Sequence, residues 1–179
     1  MGRTGKMFAS EHFDVVPDVI ALAKGIASGM PLSAVVAKAE LMTSPLGAHA
    51  STFGGNPVAI AASLATIELL ERELIENAAT VGAHLLSRLS DLPQRFPNVG
   101  DVRGLGLMIG IELVHYQKTK ERAPQLRDQI VQMCFERGLL LLGAGPNTIR
   151  LCPPLVITKD QADFAAETIE NCLKAIERP

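Results

Sequence analysis

The sequence predicts a mixed α/β protein, and three observations lead to this prediction. Two short apolar runs, partly β-branched, lie near the start of the chain between glycine and proline turns. A long stretch with apolar residues at helical spacing follows them. The last part of the chain then alternates short apolar runs with amphipathic helical patterns, which is typical of a separate α+β unit.

The composition is that of a globular protein and excludes several function classes. Hydrophobic residues make up 47% of the 179 residues, and the formal net charge is -2 without a basic block. We therefore expect no nucleic-acid partner, and the absence of a long apolar stretch predicts a cytoplasmic protein without a membrane partner. The histidines lack metal-ligand spacing, and the three widely separated cysteines favour buried free thiols over a zinc site or a disulfide: Cys134, Cys152 and Cys172.

The first elements are predicted to be two strands. Residues 15–23 form an apolar run that suits a short buried strand ending at Lys24, and residues 32–37 suit a neighbouring buried strand. A loop rich in Gly, Ser and Thr follows at residues 43–57. Asn56 before Pro57 is typical of a helix start, since asparagine caps the first free N–H groups and proline fits the first helical position.

Helical spacing then continues from Val58 to Leu92, which is too long for one ordinary helix, so we expect a break near residues 73–76. Beyond Pro97, the pattern predicts a strand at 107–114, a helix at 123–137, strands at 139–142 and 148–151, and a closing helix at 159–176. The glycines at 104, 106 and 110 do not form a dinucleotide loop, because they lead into a strand and not into a helix.

Lys24 is the first candidate for chemistry. A lysine at the end of an apolar run would be partly desolvated, and desolvation lowers the pKa of an amine and makes it nucleophilic toward an aldehyde. Taken alone, an isolated lysine after an apolar run is far more often an ordinary strand end than a reactive amine. The neighbouring residues favour the chemical interpretation.

Residues 17–34, with Pro17-Asp18, a short apolar run, Lys24 and then Gly29-Met30-Pro31, resemble the cofactor-lysine segment of class III aminotransferases. Residues 2–12, beginning Gly-Arg-Thr-Gly, resemble the segment that precedes it in that family. The resemblance implies that Lys24 is catalytic and binds pyridoxal 5'-phosphate covalently through its amine.

Two further segments match the same family. The loop Ser51-Thr52-Phe53-Gly54-Gly55 is by itself either a capped helix start or an anion site at a helix N-terminus. Its resemblance implies that Thr52 binds the cofactor phosphate in the neighbouring subunit of a homodimer. Arg150 precedes Leu-Cys-Pro-Pro-Leu. A surface salt bridge would explain a lone arginine, but the resemblance implies that Arg150 binds the carboxylate of the substrate.

The resemblance covers essentially the whole chain and implies the C-terminal part of a fold-type I transferase dependent on pyridoxal phosphate. Residues 1–75 would be the end of the large cofactor-binding domain, 76–94 a connecting helix, and 95–179 a small α+β domain. Family members are more than twice this long, so we expect a fragment of the full enzyme, weakly active or inactive alone, with open sheet edges and a tendency to associate.

The implied reaction is transamination between an amino donor and a 2-oxo acid. Residues 138–142 followed by Ile149-Arg150 most resemble 4-aminobutyrate aminotransferases. Acetylornithine or ornithine aminotransferase is the near alternative, and a racemase or aminomutase is a more distant one. A non-catalytic truncated remnant is the alternative from a different class.

Overall fold

The computed structural model describes residues 1–177 as two compact units of mixed α/β structure, which confirms the predicted class. Met1–Gly2 and Lys6–Ile75 form the first unit. The second unit contains Arg3–Gly5 and the chain from Glu76 onward. Arg178 and Pro179, the end of the predicted small domain, lie outside the described residues.

The first unit contains a two-stranded antiparallel sheet and one long helix. Strands β1 (Val19–Leu22) and β2 (Ala34–Ala37) pair with Val19 opposite Ala37 and Leu22 opposite Ala34. Helix α1 spans Pro57–Leu69. Short 3₁₀ turns lie at Ala9–His12, Lys24–Ala27 and Ala39–Leu41.

Both strands of this unit are shorter than predicted, and the expectation that they are buried is wrong. Val35 is 60% exposed and Val36 is 55% exposed, and Val19 is exposed as well. Among residues 1–177, β1 and β2 pair only with each other, so each keeps an open edge. The predicted open edges and exposed apolar surface are therefore confirmed in this unit.

Helix α1 begins where the sequence predicts. The Asn56 side-chain oxygen accepts hydrogen bonds from the backbone N–H groups of Val58 (2.9 Å) and Ala59 (3.2 Å), and Pro57 occupies the first helical position. The expected break is present as a π-helical turn at Leu70–Leu74, slightly earlier than predicted. Helix α2 then spans Ile75–Leu89.

The second unit is built on a four-stranded antiparallel sheet of order β3-β4-β6-β5. Its strands are β3 (Val99–Leu105), β4 (Met108–Leu113), β5 (Leu142–Ala144) and β6 (Thr148–Leu151). Besides α2, its helices are α3 (Leu92–Arg95), α4 (Pro124–Glu136) and α5 (Lys159–Glu177).

One face of this sheet forms the core with residues of α2, α4 and α5. Alternate strand residues point into this core and are almost fully buried: Ile109, Ile111, Leu113, Ile149 and Leu151. Because side chains alternate across a strand, the residues between them, which include Gly110 and Arg150, belong to the opposite face. Burial of one face thus fixes the orientation of β6.

The strand predicted at 139–142 is wrong in its bounds. Strand β5 begins only at Leu142, and Leu140 is 78% exposed. The hairpin explains the shift, because Ala144 pairs with Thr148 around a three-residue turn and the register then places Leu142 opposite Arg150. Only residues within reach of the short partner β6 can join the ladder.

The cysteines follow the prediction in part. Cys134 and Cys172 are buried free thiols, whereas Cys152 is exposed, so the expectation of burial is wrong for Cys152. Within residues 1–177, no helix is both long and apolar enough to span a bilayer. The same residues contain no group of His, Cys, Asp and Glu side chains that could hold a metal ion.

Candidate active site

Lys24 lies two residues beyond the end of β1, at the first position of the 3₁₀ turn Lys24–Ala27. Its backbone φ is 55°, in the left-handed region that residues other than glycine rarely adopt. The side chain is exposed, so the partial desolvation expected of it is absent in this chain. Among residues 1–177, its amine has no hydrogen-bond or ion-pair partner.

Helix α1 holds the turn that carries Lys24. Ile26 and Ala27 are buried in the same unit as Ala59 on α1. The Thr66 hydroxyl lies 2.7 Å from the Ala62 carbonyl and 3.0 Å from the Ser28 hydroxyl. Because the carbonyl can only accept, Thr66 donates to Ala62, and the Ser28 hydroxyl donates to Thr66.

Sequence reasoning missed Ser28 and Thr66. Ser28 also has a left-handed backbone, with φ 43°, immediately after the turn. The available signal was a row of small residues at helical spacing, Ala59, Ser63 and Thr66, which marks a helix face that accepts close backbone packing. These contacts stabilise the unusual backbone that presents Lys24.

Thr52 lies in the loop that precedes α1, and its side chain is exposed. Among the described residues, its hydroxyl makes no hydrogen bond. The N–H groups at the helix start are not free, because Asn56 caps Val58 and Ala59. An anion at this loop would therefore bind to the Thr52 hydroxyl and not to those two capped N–H groups.

Arg150 lies in the centre of β6, with Gly110 of β4 on one side and Leu142 of β5 on the other. Its guanidinium is exposed and, in the described part of the chain, has no hydrogen-bond or ion-pair partner. It lines two grooves, one of about 620 Å³ that also includes Leu140 and one of about 530 Å³ that also includes Thr148. A free guanidinium in a groove suits a carboxylate ligand.

Arg103 of β3 lies in the same cross-strand row as Arg150, because both pair with Gly110 of β4. Its guanidinium donates to Asp101 (2.8 Å) and Glu112 (3.3 Å). The hydrogen bond to Asp101 is the main cause that raises the pKa of Arg103. The charge of Arg103 is thus balanced by two carboxylates, and Arg103 is not a candidate for binding the substrate.

The three predicted residues fall in different units. Lys24 and Thr52 belong to the first unit, and Arg150 belongs to the second. Each carries an exposed polar group that is unpaired within residues 1–177.

The aminotransferase class-III model matches residues 1–173. This chain belongs to the class III aminotransferase family. The family uses pyridoxal phosphate as its cofactor. A free amine on Lys24 and a free hydroxyl on Thr52 fit that group, because an aldehyde condenses with an amine and a phosphate accepts from a hydroxyl.

Three similar proteins illustrate the match. A leucine/methionine racemase of Thermococcus litoralis is 44% identical over 180 residues, which cover 99% of this chain and 40% of that protein. An acetylornithine aminotransferase of Gloeobacter violaceus is 44% identical over 173 residues, covering 96% of this chain and 41% of its own length. The crystal structure of an amine transaminase from an uncultivated Pseudomonas species, with pyridoxal phosphate bound, superposes with a TM-score of 0.90 at 35% identity.

That structure is matched over 97% of this chain and 42% of its own chain. The chain therefore spans about two fifths of the length of the curated relatives that it matches. The matched fold confirms that the chain corresponds to one part of a pyridoxal-phosphate-dependent transaminase.

Proposed function

We propose that this chain supplies the cofactor lysine, the phosphate-binding hydroxyl and the carboxylate-binding arginine of a class III transaminase. The observation that carries the proposal is Lys24, presented on a left-handed backbone with an exposed and unpaired amine. Strained backbone of this kind persists only where the surrounding structure holds it, and it concentrates at active sites.

Lys24 would have two tasks. Its Nζ would hold the cofactor covalently and, as a free amine, would carry a proton to and from the substrate carbon. Pyridoxal phosphate, when bound, supplies a ring that withdraws electrons from that carbon. The hydrogen bond between Ser28 and Thr66 would hold the backbone turn of Lys24 during both tasks.

Thr52 would bind the cofactor phosphate through its hydroxyl. In our proposal this phosphate belongs to the site of a second subunit, so the working unit is a homodimer. Support comes from the exposure of Thr52 on a loop anchored by the capped start of α1. Residues 1–75 would then act as part of the cofactor domain, 76–94 as a connector and 95–179 as the small domain.

Arg150 would bind the carboxylate of the amino acid or of the 2-oxo acid. The alternation of β6 places it on the sheet face opposite the core, and Gly110 beside it presents no side chain. Arg103, which is already paired with two carboxylates, would not compete for the substrate. The geometry supports one carboxylate contact at this face and leaves the rest of the substrate to other residues.

For the amino donor, we propose an ω-amino acid. The aminotransferase relative named above acts on acetylornithine by its name, which favours that donor at least as strongly as 4-aminobutyrate. The resemblance of residues 138–142 to 4-aminobutyrate enzymes is the remaining support for the latter. Comparing initial rates with acetylornithine, ornithine and 4-aminobutyrate, each with 2-oxoglutarate, decides among them.

Amino-acid racemisation is a second candidate, because the racemase of Thermococcus litoralis is as similar to this chain as the aminotransferase is. Both reactions need a proton moved at the substrate carbon, but only transamination consumes a 2-oxo acid. Loss of optical rotation from L-leucine without any added 2-oxo acid would favour the racemase. Amino transfer that requires the oxo acid would favour the transaminase.

Borohydride trapping tests the proposal on the chain itself. Pyridoxal phosphate is added, the imine is reduced, and labelled peptides are quantified by mass spectrometry in the wild type, Lys24→Ala and Lys118→Ala. Lys118 is an exposed lysine without a partner among residues 1–177 and provides the matched control. We expect Lys24 to carry more label than any other lysine.

The same experiment is repeated after mixing with a polypeptide that supplies the upstream part of the Thermococcus relative. We expect this addition to raise labelling at Lys24 and to generate turnover. Equal labelling of Lys24 and Lys118 under both conditions would contradict the proposal and favour a non-catalytic remnant.

A further inference from the structure

Two consecutive prolines, Pro153 and Pro154, follow the end of β6. Proline has no backbone N–H, so this segment cannot donate to a neighbouring strand. The strand end itself is paired on one side only, because Leu151 pairs with Ile109 of β4 while the pairing with β5 starts at Arg150. The two prolines can therefore be held only through their carbonyl groups, and carbonyl groups also anchor the residues that follow them.

Side chains supply most of the donors for these carbonyls. The Arg3 guanidinium donates to the carbonyl of Pro153. The Asn77 amide donates to the carbonyls of Leu155 (2.7 Å) and Ile157 (3.0 Å). Arg3 is thus the anchor nearest to β6, and Asn77 is the anchor farther along the segment.

Arg3 itself projects from a closely packed stretch of backbone. Its carbonyl accepts from the N–H of Leu107 (2.9 Å). A Cβ added to Gly106 would lie 2.8 Å from that carbonyl oxygen and from the N of Gly5, and one added to Gly5 would lie 2.9 Å from the Cβ of Ala79. These distances show that the Arg3–Gly5 segment packs closely against the turn and the helix.

We propose that Arg3 is a positioning residue for Arg150. By holding Pro153, it fixes the end of β6 and thereby the direction in which the Arg150 side chain leaves the strand. Arg3 lines neither groove that Arg150 lines, so it acts through the strand and not as a ligand. The consequence for substrate binding rests on the proposed carboxylate role of Arg150.

The primary test is amide hydrogen exchange measured by NMR on the 179-residue chain. Removing a charged hydrogen bond in Arg3→Met should raise exchange at residues 150–152 about tenfold, and Arg3→Lys, which keeps a charged donor, should restore most of the protection. The matched control Asn77→Ala should raise exchange at 155–157 and leave 150–152 unchanged.

Two outcomes of this test would overturn the proposal. Unchanged exchange at 150–152 in Arg3→Met would show that the contact does not hold the strand. Equal acceleration throughout the second unit, including the buried Ile130 of α4, would show that Arg3 is merely structural. If Arg3→Met fails to fold, the same comparison is made with Arg3→Lys, for which we expect a smaller rise confined to 150–152.

A second test measures how Arg3 affects carboxylate binding. Glutarate is the probe, and its binding is followed by NMR through the Nε–H resonance of the Arg150 side chain and through backbone amides. Arg3→Met should weaken glutarate binding several-fold in the wild-type background and should have no effect in Arg150→Gln. Weakening in both backgrounds would make Arg3 a ligand and overturn the positioning role. Equal binding of glutarate by wild type and Arg150→Gln would contradict only the proposed carboxylate role of Arg150. The exchange data would still decide whether Arg3 positions the strand.

Discussion

Gly82 of helix α2 lies directly against the backbone of Gly106 in the turn between β3 and β4. A Cβ added to Gly82 would be 2.6 Å from the Cα of Gly106, which is closer than real Cβ atoms approach. A Cβ added to Gly106 would in turn meet the backbone of the Arg3–Gly5 segment. Three pieces of backbone are therefore stacked without side chains between them.

Gly82→Ala should destabilise the second unit. Alanine in a helix gains about 1 kcal/mol over glycine from intrinsic propensity. Overpacking a rigid backbone contact costs about 1–3 kcal/mol and occasionally more, so the steric term should exceed the propensity gain. Urea unfolding followed by circular dichroism should show a lower midpoint for the variant.

Gly138→Ala provides the matched control, because a Cβ there meets nothing within 4 Å and only the left-handed φ of 82° opposes it. It should lose about 1 kcal/mol. A Gly82→Ala chain as stable as the wild type would mean that the helix and the turn can separate without cost.

The Cys134 thiol donates to the sulfur of Cys172 at 3.6 Å and joins α4 to α5 inside the core. Burial, followed by repulsion from Cys172, raises the pKa of Cys134 from 9.0 to about 12. Above pH 9 the unfolded chain loses this proton while the folded chain keeps it, so stability should fall as the pH rises from 9 toward 12. The slope is about 1.4 kcal/mol per pH unit for one such group.

Urea unfolding at pH 8, 9 and 10 measures this slope for the wild type and for Cys134→Ala. The variant starts from lower stability because it leaves a cavity, but it should lose the part of the slope that belongs to Cys134. The other ionisable groups are common to both proteins and cancel in the comparison. Parallel slopes for the two proteins would show that the thiol titrates normally in the fold.

Much of the fold followed from local patterns in the sequence. The Asn56-Pro57 pair specified the start of α1 because capping is decided by neighbouring residues. The register of β5 could not be read in this way, because it depends on pairing with β6 across a turn. The exposure of β1 and β2 also depends on which other strands adjoin them, and local patterns do not carry that information.

The candidate site shows the same division. Motifs indicated Lys24, Thr52 and Arg150, but the residues that support them are recognisable only in three dimensions. Ser28 and Thr66 are separated by 38 positions, and Arg3 and Pro153 by 150. Such contacts are produced by tertiary packing, and neither periodicity nor composition predicts them.

The exposed valines of β2 should promote self-association of the chain. An open strand edge with apolar side chains favours pairing with another copy. The double variant Val35→Thr/Val36→Thr keeps β-branched shape but adds hydroxyl groups, so we expect less association at equal concentration. Light scattering after size-exclusion chromatography gives the mass of the eluting species and thus measures the association.

Val156→Thr is the control for this effect, because Val156 is 68% exposed but belongs to the second unit. It should leave association unchanged. If the control reduces association as much as the double variant does, the surface that mediates association lies in the second unit and not at β2.

The left-handed backbone at Lys24 predicts a conflict between stability and function. Glycine accepts φ 55° freely, whereas alanine keeps a cost of about 1 kcal/mol, so Lys24→Gly should be the more stable of the two variants in thermal unfolding. Both variants lose the amine, and both should lose borohydride labelling. Lys38 has an ordinary φ of -58°, so there the order should reverse, with Lys38→Gly less stable than Lys38→Ala. The same order at both positions would mean that the Lys24 backbone is not strained, and the main structural support for its role would be lost.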